Sequence, residues 1–137
     1  MAVETLEHYT IRCAALEATR VFYENVLGLK AGPRPDFDFP GYWIYCAGTP
    51  MVHLIEAKGD NAPGTGALDH IAFRATGLAV TLDHLRAKNI PFTERQVDDQ
   101  GLYQLFLHDP HGIKIELNFA AAEATDRRAP VMAADLR

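Results

Sequence analysis

Leu68-Asp69-His70-Ile71-Ala72-Phe73-Arg74 restates, sixty-two positions downstream, the stretch Leu6-Glu7-His8-Tyr9-Thr10-Ile11-Arg12. Both alternate polar with apolar residues, the period of a half-buried strand, which predicts strands over Leu6 to Cys13 and Ala67 to Arg74. The same offset lays Leu16 on Leu78, the first residues of two helical patterns. In the first, Leu16, Phe22, Tyr23, Val26 and Leu27 recur at helical spacing and Gly28 supplies a stop, predicting a helix from Leu16 to Leu27. In the second, Leu78, Leu82 and Leu85 share a face between Leu78 and Lys88.

Strands are then expected at Lys30 to Arg34, where Pro33 and Pro35 mark an edge, at Tyr42 to Cys46 and at Met51 to Glu56. Their counterparts lie near Phe92, Leu102 and Ile113. One further residue of offset places Val52-His53-Leu54 on Ile115-Glu116-Leu117, with Thr49-Pro50 and Asp109-Pro110 as the preceding turns. Each half therefore reads βαβββ. A unit of about sixty residues that occurs only twice is too long and too few for a stacked solenoid. The expected class is α+β, with two βαβββ modules forming a curved mixed sheet in one domain. Module 1 covers about 4–57, a loop (KGDNAPGTG) 58–66, module 2 about 67–119 and a tail 120–137.

A formal charge of −5 leaves no excess of Lys or Arg to neutralise phosphates, so nucleic acid is not an expected partner. No apolar run has bilayer length, and Met-Ala-Val-Glu lacks the basic and hydrophobic start of a signal peptide, so no membrane partner and a cytoplasmic location are expected. Cys13 and Cys46 lie in apolar strand-like segments without a CxxC pattern and are expected to be small buried thiols.

Three histidines and a glutamate occupy equivalent places in the repeat: His8 and His70 on the first strand of each copy, His53 and Glu116 on the last. Taken singly, a strand histidine is more often a hydrogen-bonded structural residue and a glutamate is usually solvated. Their shared register makes these four the expected ligands of one divalent metal. Residues in phase with them, Thr10, Arg12, Ala72, Arg74, Lys114 and Asn118, are more polar than the alternate set Tyr9, Ile11, Ile71, Phe73, Ile113, Ile115 and Leu117. The ligand face is thus expected to line a cavity and the other to pack under the helices. Two His and one carboxylate suit non-haem Fe(II), and His53 as a fourth donor admits Ni, Co, Mn or Zn. Arg12 and Arg74 are candidates for holding an anionic substrate group, against the alternative of surface ion pairs. Trp43, with Tyr42 and Tyr45 nearby, is a candidate to cover a substrate, against core packing. His108 is a candidate for supporting the site or binding substrate, against a structural role, His84 is expected exposed on its helix, and His111 sits in the Asp109-Pro110-His111-Gly112 turn.

Leu6-Glu7-His8, Phe22-Tyr23-Glu24-Asn25-Val26-Leu27-Gly28-Leu29, Val52-His53-Leu54, Leu68-Asp69-His70-Ile71-Ala72-Phe73 and His108-Asp109-Pro110-His111-Gly112-Ile113-Lys114-Ile115-Glu116 together resemble the vicinal oxygen chelate superfamily. Glyoxalase, bleomycin resistance protein and extradiol dioxygenase are members of it. The resemblance implies that the modules form an incomplete barrel around one divalent metal. It also implies a homodimer, with the cavity's ligands drawn from one subunit or from both. It further implies an enzyme that captures two neighbouring oxygens of a small-molecule substrate. That enzyme is a glyoxalase-I-like lyase or isomerase, with Glu116 moving the substrate proton, or a dioxygenase. The alternative is a protein of the bleomycin-binding type that sequesters a drug or toxin. Two departures bear on the subclass. His53 stands where glyoxalase I carries a Glu or similar ligand. Phe106 stands where ring-cleaving dioxygenases carry their signature tyrosine, and Gln96 to Gly101 (QVDDQG) lacks their upstream histidine.

Overall fold

The computed structural model describes residues 1–2, 4–57, 68 and 70–124, with Asp99 by its backbone only. The expected loop at 58–66 and the tail beyond Ala124 lie outside the described residues. The chain divides into two compact units, Met1–Pro63 and Gly64–Arg137.

The first unit runs β1 (Tyr9–Cys13), α1 (Leu16–Asn25), β2 (Lys30–Gly32), β3 (Gly41–Cys46) and β4 (Thr49–Glu56). The second runs β5 (Ile71–Arg74), α2 (Leu78–Ala87), β6 (Thr93–Val97), β7 (Leu102–His108) and β8 (Lys114–Ala120). Each is βαβββ, and each forms an open four-stranded mixed sheet, in the orders β1-β4-β3-β2 and β5-β8-β7-β6. The outer pair of each is parallel: Thr10 is in register with His53, and Ala72 with Glu116. The antiparallel neighbours repeat the match, with Trp43 opposite His53 and Phe106 opposite Glu116. The two offsets read from the sequence therefore superpose strand on strand.

Alternation sorts the faces. Ile11, Val52 and Leu54 in the first unit, and Tyr103, Leu105, Leu107, Ile115, Leu117 and Phe119 in the second, form the buried apolar face. Tyr9, Ile71 and Phe73 of the same set are only half-buried. Of the helical residues, Phe22 and Tyr23 with Thr19 are buried on α1, and Leu78, Leu82 and Leu85 on α2. Cys13 is buried, its thiol donating to the Ile11 carbonyl at 3.5 Å, and Cys46 is half-buried.

Several boundaries differ from the sequence reading for local reasons. Leu6 and Leu68 are 74% and 54% exposed, so their alternation meets no core, and the strands begin at Tyr9 and Ile71. His8 and His70 therefore directly precede the first strand of each unit rather than lying in it. β2 stops at Gly32, before Pro33, which has no N–H to extend the ladder. α1 ends at Asn25, and Gly28 at φ +70° carries the chain away while Leu29 N–H reaches back to the Tyr23 carbonyl. After α2 the same duty falls to Asn89, at φ +56°, one of the few side chains that tolerate this region.

Gly77, which precedes α2, offers no side chain to cap it. Glu123, in the short 3-10 turn Ala121–Ala124, accepts the N–H groups of Gly77 and Leu78 at 2.9 and 3.0 Å. A carboxylate there satisfies two orphan donors and faces the positive end of the helix. Glu123→Ala is expected to lower unfolding stability by about 1 kcal/mol in urea titrations; an unchanged midpoint would remove the cap from the account. Among the described residues no helix is long and apolar enough to cross a membrane.

Candidate metal centre

Asp109 builds the turn that sets the second unit's site. Its Oδ1 accepts the N–H groups of His111 and Ile113 at 2.8 and 2.9 Å, and Gly112 turns at φ +78°. β8 thereby starts at Lys114 with Glu116 on the face shared by Gln104, Phe106 and His108. Glu116 is only 5% exposed. Its Oε1 accepts a 2.7 Å hydrogen bond from Gln104 Nε2, which also donates to Asn118 Oδ1 at 2.9 Å. Its Oε2 is buried and accepts no hydrogen bond, although His70 Nε2 lies 2.9 Å away. The two atoms are at ion-pair distance without the alignment of an N–H···O bond.

In the first unit His53 is layered between two rings. His8 stacks on it at 3.9 Å with planes 12° apart, and Trp43 at 4.3 Å with planes 11° apart. His53 Nε2 pairs with the Pro50 carbonyl at 2.9 Å, so Nε2 carries the proton and Nδ1 keeps the lone pair. His8 Nδ1 lies 3.1 Å from Glu7 Oε1, which leaves its Nε2 as the nitrogen that could ligate. An imidazole that gives one N–H to a carboxylate or carbonyl and offers the other nitrogen is the usual form of a metal-bound histidine. Burial, and then the neighbouring His8, hold His53 below the usual histidine pKa of 6.5. Above pH 6.5 both the native and unfolded forms are neutral and this residue adds no pH dependence. As pH falls through 6.5, the unfolded chain binds a proton that native His53 refuses, so stability falls. His53→Gln is expected to flatten that loss between pH 7 and 5.5 in urea titrations; an identical slope would contradict it.

Two donors bound to one ion at about 2.0–2.2 Å and at right angles sit about 3 Å apart, which matches the His70–Glu116 pair and its unfilled Oε2. The donor set of imidazole nitrogen and carboxylate oxygen also suits a divalent first-row ion. The His8–His53 stack fits through one ring at a time, because two parallel ring planes cannot both contain the same ion. Among the described residues no cluster of three or more His, Cys, Asp or Glu donors occurs. The candidate ligands stand as two pairs, one in each unit.

Arg12 is exposed on β1 in phase with His8, and Arg74 is exposed on β5 in phase with His70. Trp43 covers His53, whereas the Tyr42 hydroxyl donates to Glu17 and that of Tyr45 to the Pro33 carbonyl, so these tyrosines anchor β3 locally. His108 is exposed at the end of β7, and His84 is half-buried rather than exposed. Gln104 and the buried Arg95 were not among the expected site residues. The signal for Gln104 was a lone polar residue inside the apolar run Leu102 to Leu107.

A sequence model of the Glyoxalase/Bleomycin resistance protein/Dioxygenase superfamily matches residues 5–117. The chain is 28% identical over 120 residues to Glyoxylase I 4 of Arabidopsis thaliana, covering 82% of this chain and 69% of that protein. It is 27% identical over 130 residues to the mitochondrial methylmalonyl-CoA epimerase of Bos taurus, covering 84% and 74%. Among solved structures, a genomically encoded fosfomycin resistance protein of Listeria monocytogenes shares the fold at a TM-score of 0.70 and 18% identity, over 89% of this chain and 98% of that one. A lactoylglutathione lyase of Agrobacterium tumefaciens does so at 0.64 and 20%, over 87% and 96%.

Proposed function

This chain belongs to the Glyoxalase/Bleomycin resistance protein/Dioxygenase superfamily, and on that premise we propose that it is a divalent-metal-dependent lyase or isomerase of the glyoxalase I type. Its substrate is a small molecule with vicinal oxygens. The observation that carries this reading is the buried Glu116 carboxylate, with one oxygen held by Gln104 and the other unfilled beside His70 Nε2. His70 and Glu116 of one unit, and the His8–His53 pair of the other, would hold the ion. When bound, the ion supplies a Lewis acid that draws two substrate oxygens into place.

Glu116 then serves as the base for a proton on carbon next to a carbonyl. Gln104 keeps one carboxylate oxygen occupied, so that Oε2, the oxygen that would hold the ion, would also be the one to take the proton once loosened from it. Trp43 shields the His53 side from water, and Arg12 and Arg74, on the ligand faces, attract an anionic substrate. The isomerase is favoured over the ring-cleaving dioxygenase by Phe106, which stands directly opposite Glu116 and carries no hydroxyl. The reading includes a homodimer working in the cytoplasm.

The test is to load the purified protein with Ni or Zn and follow isomerisation of a glutathione hemithioacetal, and to load it with Fe(II) and follow oxygen consumption on a catechol. Isomerisation without oxygen uptake is expected. Oxygen uptake would transfer the protein to the dioxygenases, and a metal-free protein that binds small ligands tightly would mark a sequestering role.

A further inference from the structure

Arg95, in the middle of β6, is 9% exposed, yet its Nε and Nη1 are buried atoms with no hydrogen-bond partner. Among the described residues no carboxylate forms an ion pair with it. A guanidinium stays charged in proteins and has only donors to offer, so a buried one with empty donors is an interaction awaiting its other half.

The residue directly opposite it on β7 is Gln104, whose Oε1 is also buried and unpartnered. The amide cannot exchange its ends to cure this, because its Nε2 already donates to two acceptors, Glu116 Oε1 and Asn118 Oδ1. Arg95, Gln104 and Asn118 form one cross-strand row, and Glu116 lies two residues from Asn118 on the same face. β6 and β8 are two strand spacings apart, about 9.5 Å, a span bridged by a substrate of a few carbons.

We infer that Arg95 and Gln104 form an oxyanion-binding subsite on the Glu116 face, with Arg95 taking a carboxylate or phosphonate and Gln104 Oε1 accepting from a hydroxyl beside it. The inference rests on the reading above only in treating the bound molecule as substrate. It narrows the substrate class to small hydroxy acids and molecules that carry such a group.

The test is calorimetric titration of the full chain with glycolate, with hydroxymethylphosphonate and with neutral ethylene glycol, before and after chelator treatment. At least one anion is expected to bind and ethylene glycol is not; which anion binds more tightly identifies the group. Arg95→Met is expected to weaken anion binding at least about 10-fold, while the ligand-free variant unfolds at the same or a higher urea concentration because an uncompensated buried charge is gone. Should that variant not fold, the Arg95 Nε–H resonance of the unaltered protein is expected to move with the anion and stay put with ethylene glycol. Binding of neither anion, anion affinity indifferent to Arg95→Met, or an unmoved Arg95 resonance would overturn the inference. Arg95-dependent binding that survives chelation while no metal is ever retained would sink the metal reading alone. Metal retention through Glu116 with Arg95-independent glycolate binding would sink the subsite alone.

Discussion

Glu116→Gln is expected to leave the fold intact and to weaken divalent-metal binding at least about 100-fold, with turnover lost alongside it. The substitution keeps the side chain's shape, and its amide oxygen still accepts from Gln104 Nε2. It removes the charge that an ion needs and the base that proton transfer needs. The size follows because changing even a supporting partner of a metal ligand costs about 10–100-fold, and Glu116 is proposed as a ligand itself. Stability in the absence of metal should hold or rise, because a buried carboxylate with an unfilled oxygen is costly to keep. Competition titration against a coloured chelator, paired with urea unfolding, separates the two effects. Parent-like metal affinity in a folded variant would exclude Glu116 as a ligand.

Gln104→Leu should act more weakly but on two readouts at once. Leucine fills a similar volume and donates nothing, so Glu116 Oε1 and Asn118 Oδ1 lose their shared donor. Leaving buried acceptors unsatisfied costs about 1–3 kcal/mol of stability. A carboxylate that has lost its orienting bond should bind metal about 10–100-fold less tightly. Loss of stability with unchanged metal affinity would make Gln104 a structural residue only. Gln104→Glu is a useful contrast, because a second carboxylate beside Glu116 keeps polarity while removing the donor.

The strand pairings explain why so much of the architecture was legible. The repeat was visible because both halves spend the same residues on the same tasks: a polar-apolar strand, a helix with one buried stripe, and a last strand whose middle residue faces away from the core. Thr10 against His53 and Ala72 against Glu116 are the structural form of that pattern. Periodicity failed where its physical basis was missing. Leu6 and Leu68 alternate correctly but are exposed, so the strands start later and the histidines stand just before them.

The site was legible to the extent that it repeats. His8, His53, His70 and Glu116 were singled out by their equivalence, and the structure sets His8 against His53 in one unit and His70 against Glu116 in the other. Gln104 and Arg95 have no such twin and looked like ordinary strand polars. What singles them out is burial, which depends on residues remote in sequence and leaves no periodic trace. The Glu123 cap was hidden for a similar reason, since it closes a helix that begins 45 residues earlier. Another departure, in Tyr42 and Tyr45, shows aromatic residues near a proposed opening occupied by hydrogen bonds to Glu17 on α1 and to the Pro33 carbonyl.

Anomalous diffraction from crystals grown with Ni or Co tests the metal centre most directly. One strong peak within about 2.0–2.2 Å of His70 Nε2 and Glu116 Oε2, with a ligand from the His8–His53 pair completing its shell, is the result expected here. A peak bonded to other residues, or none at those atoms in crystals soaked to saturation, would contradict it.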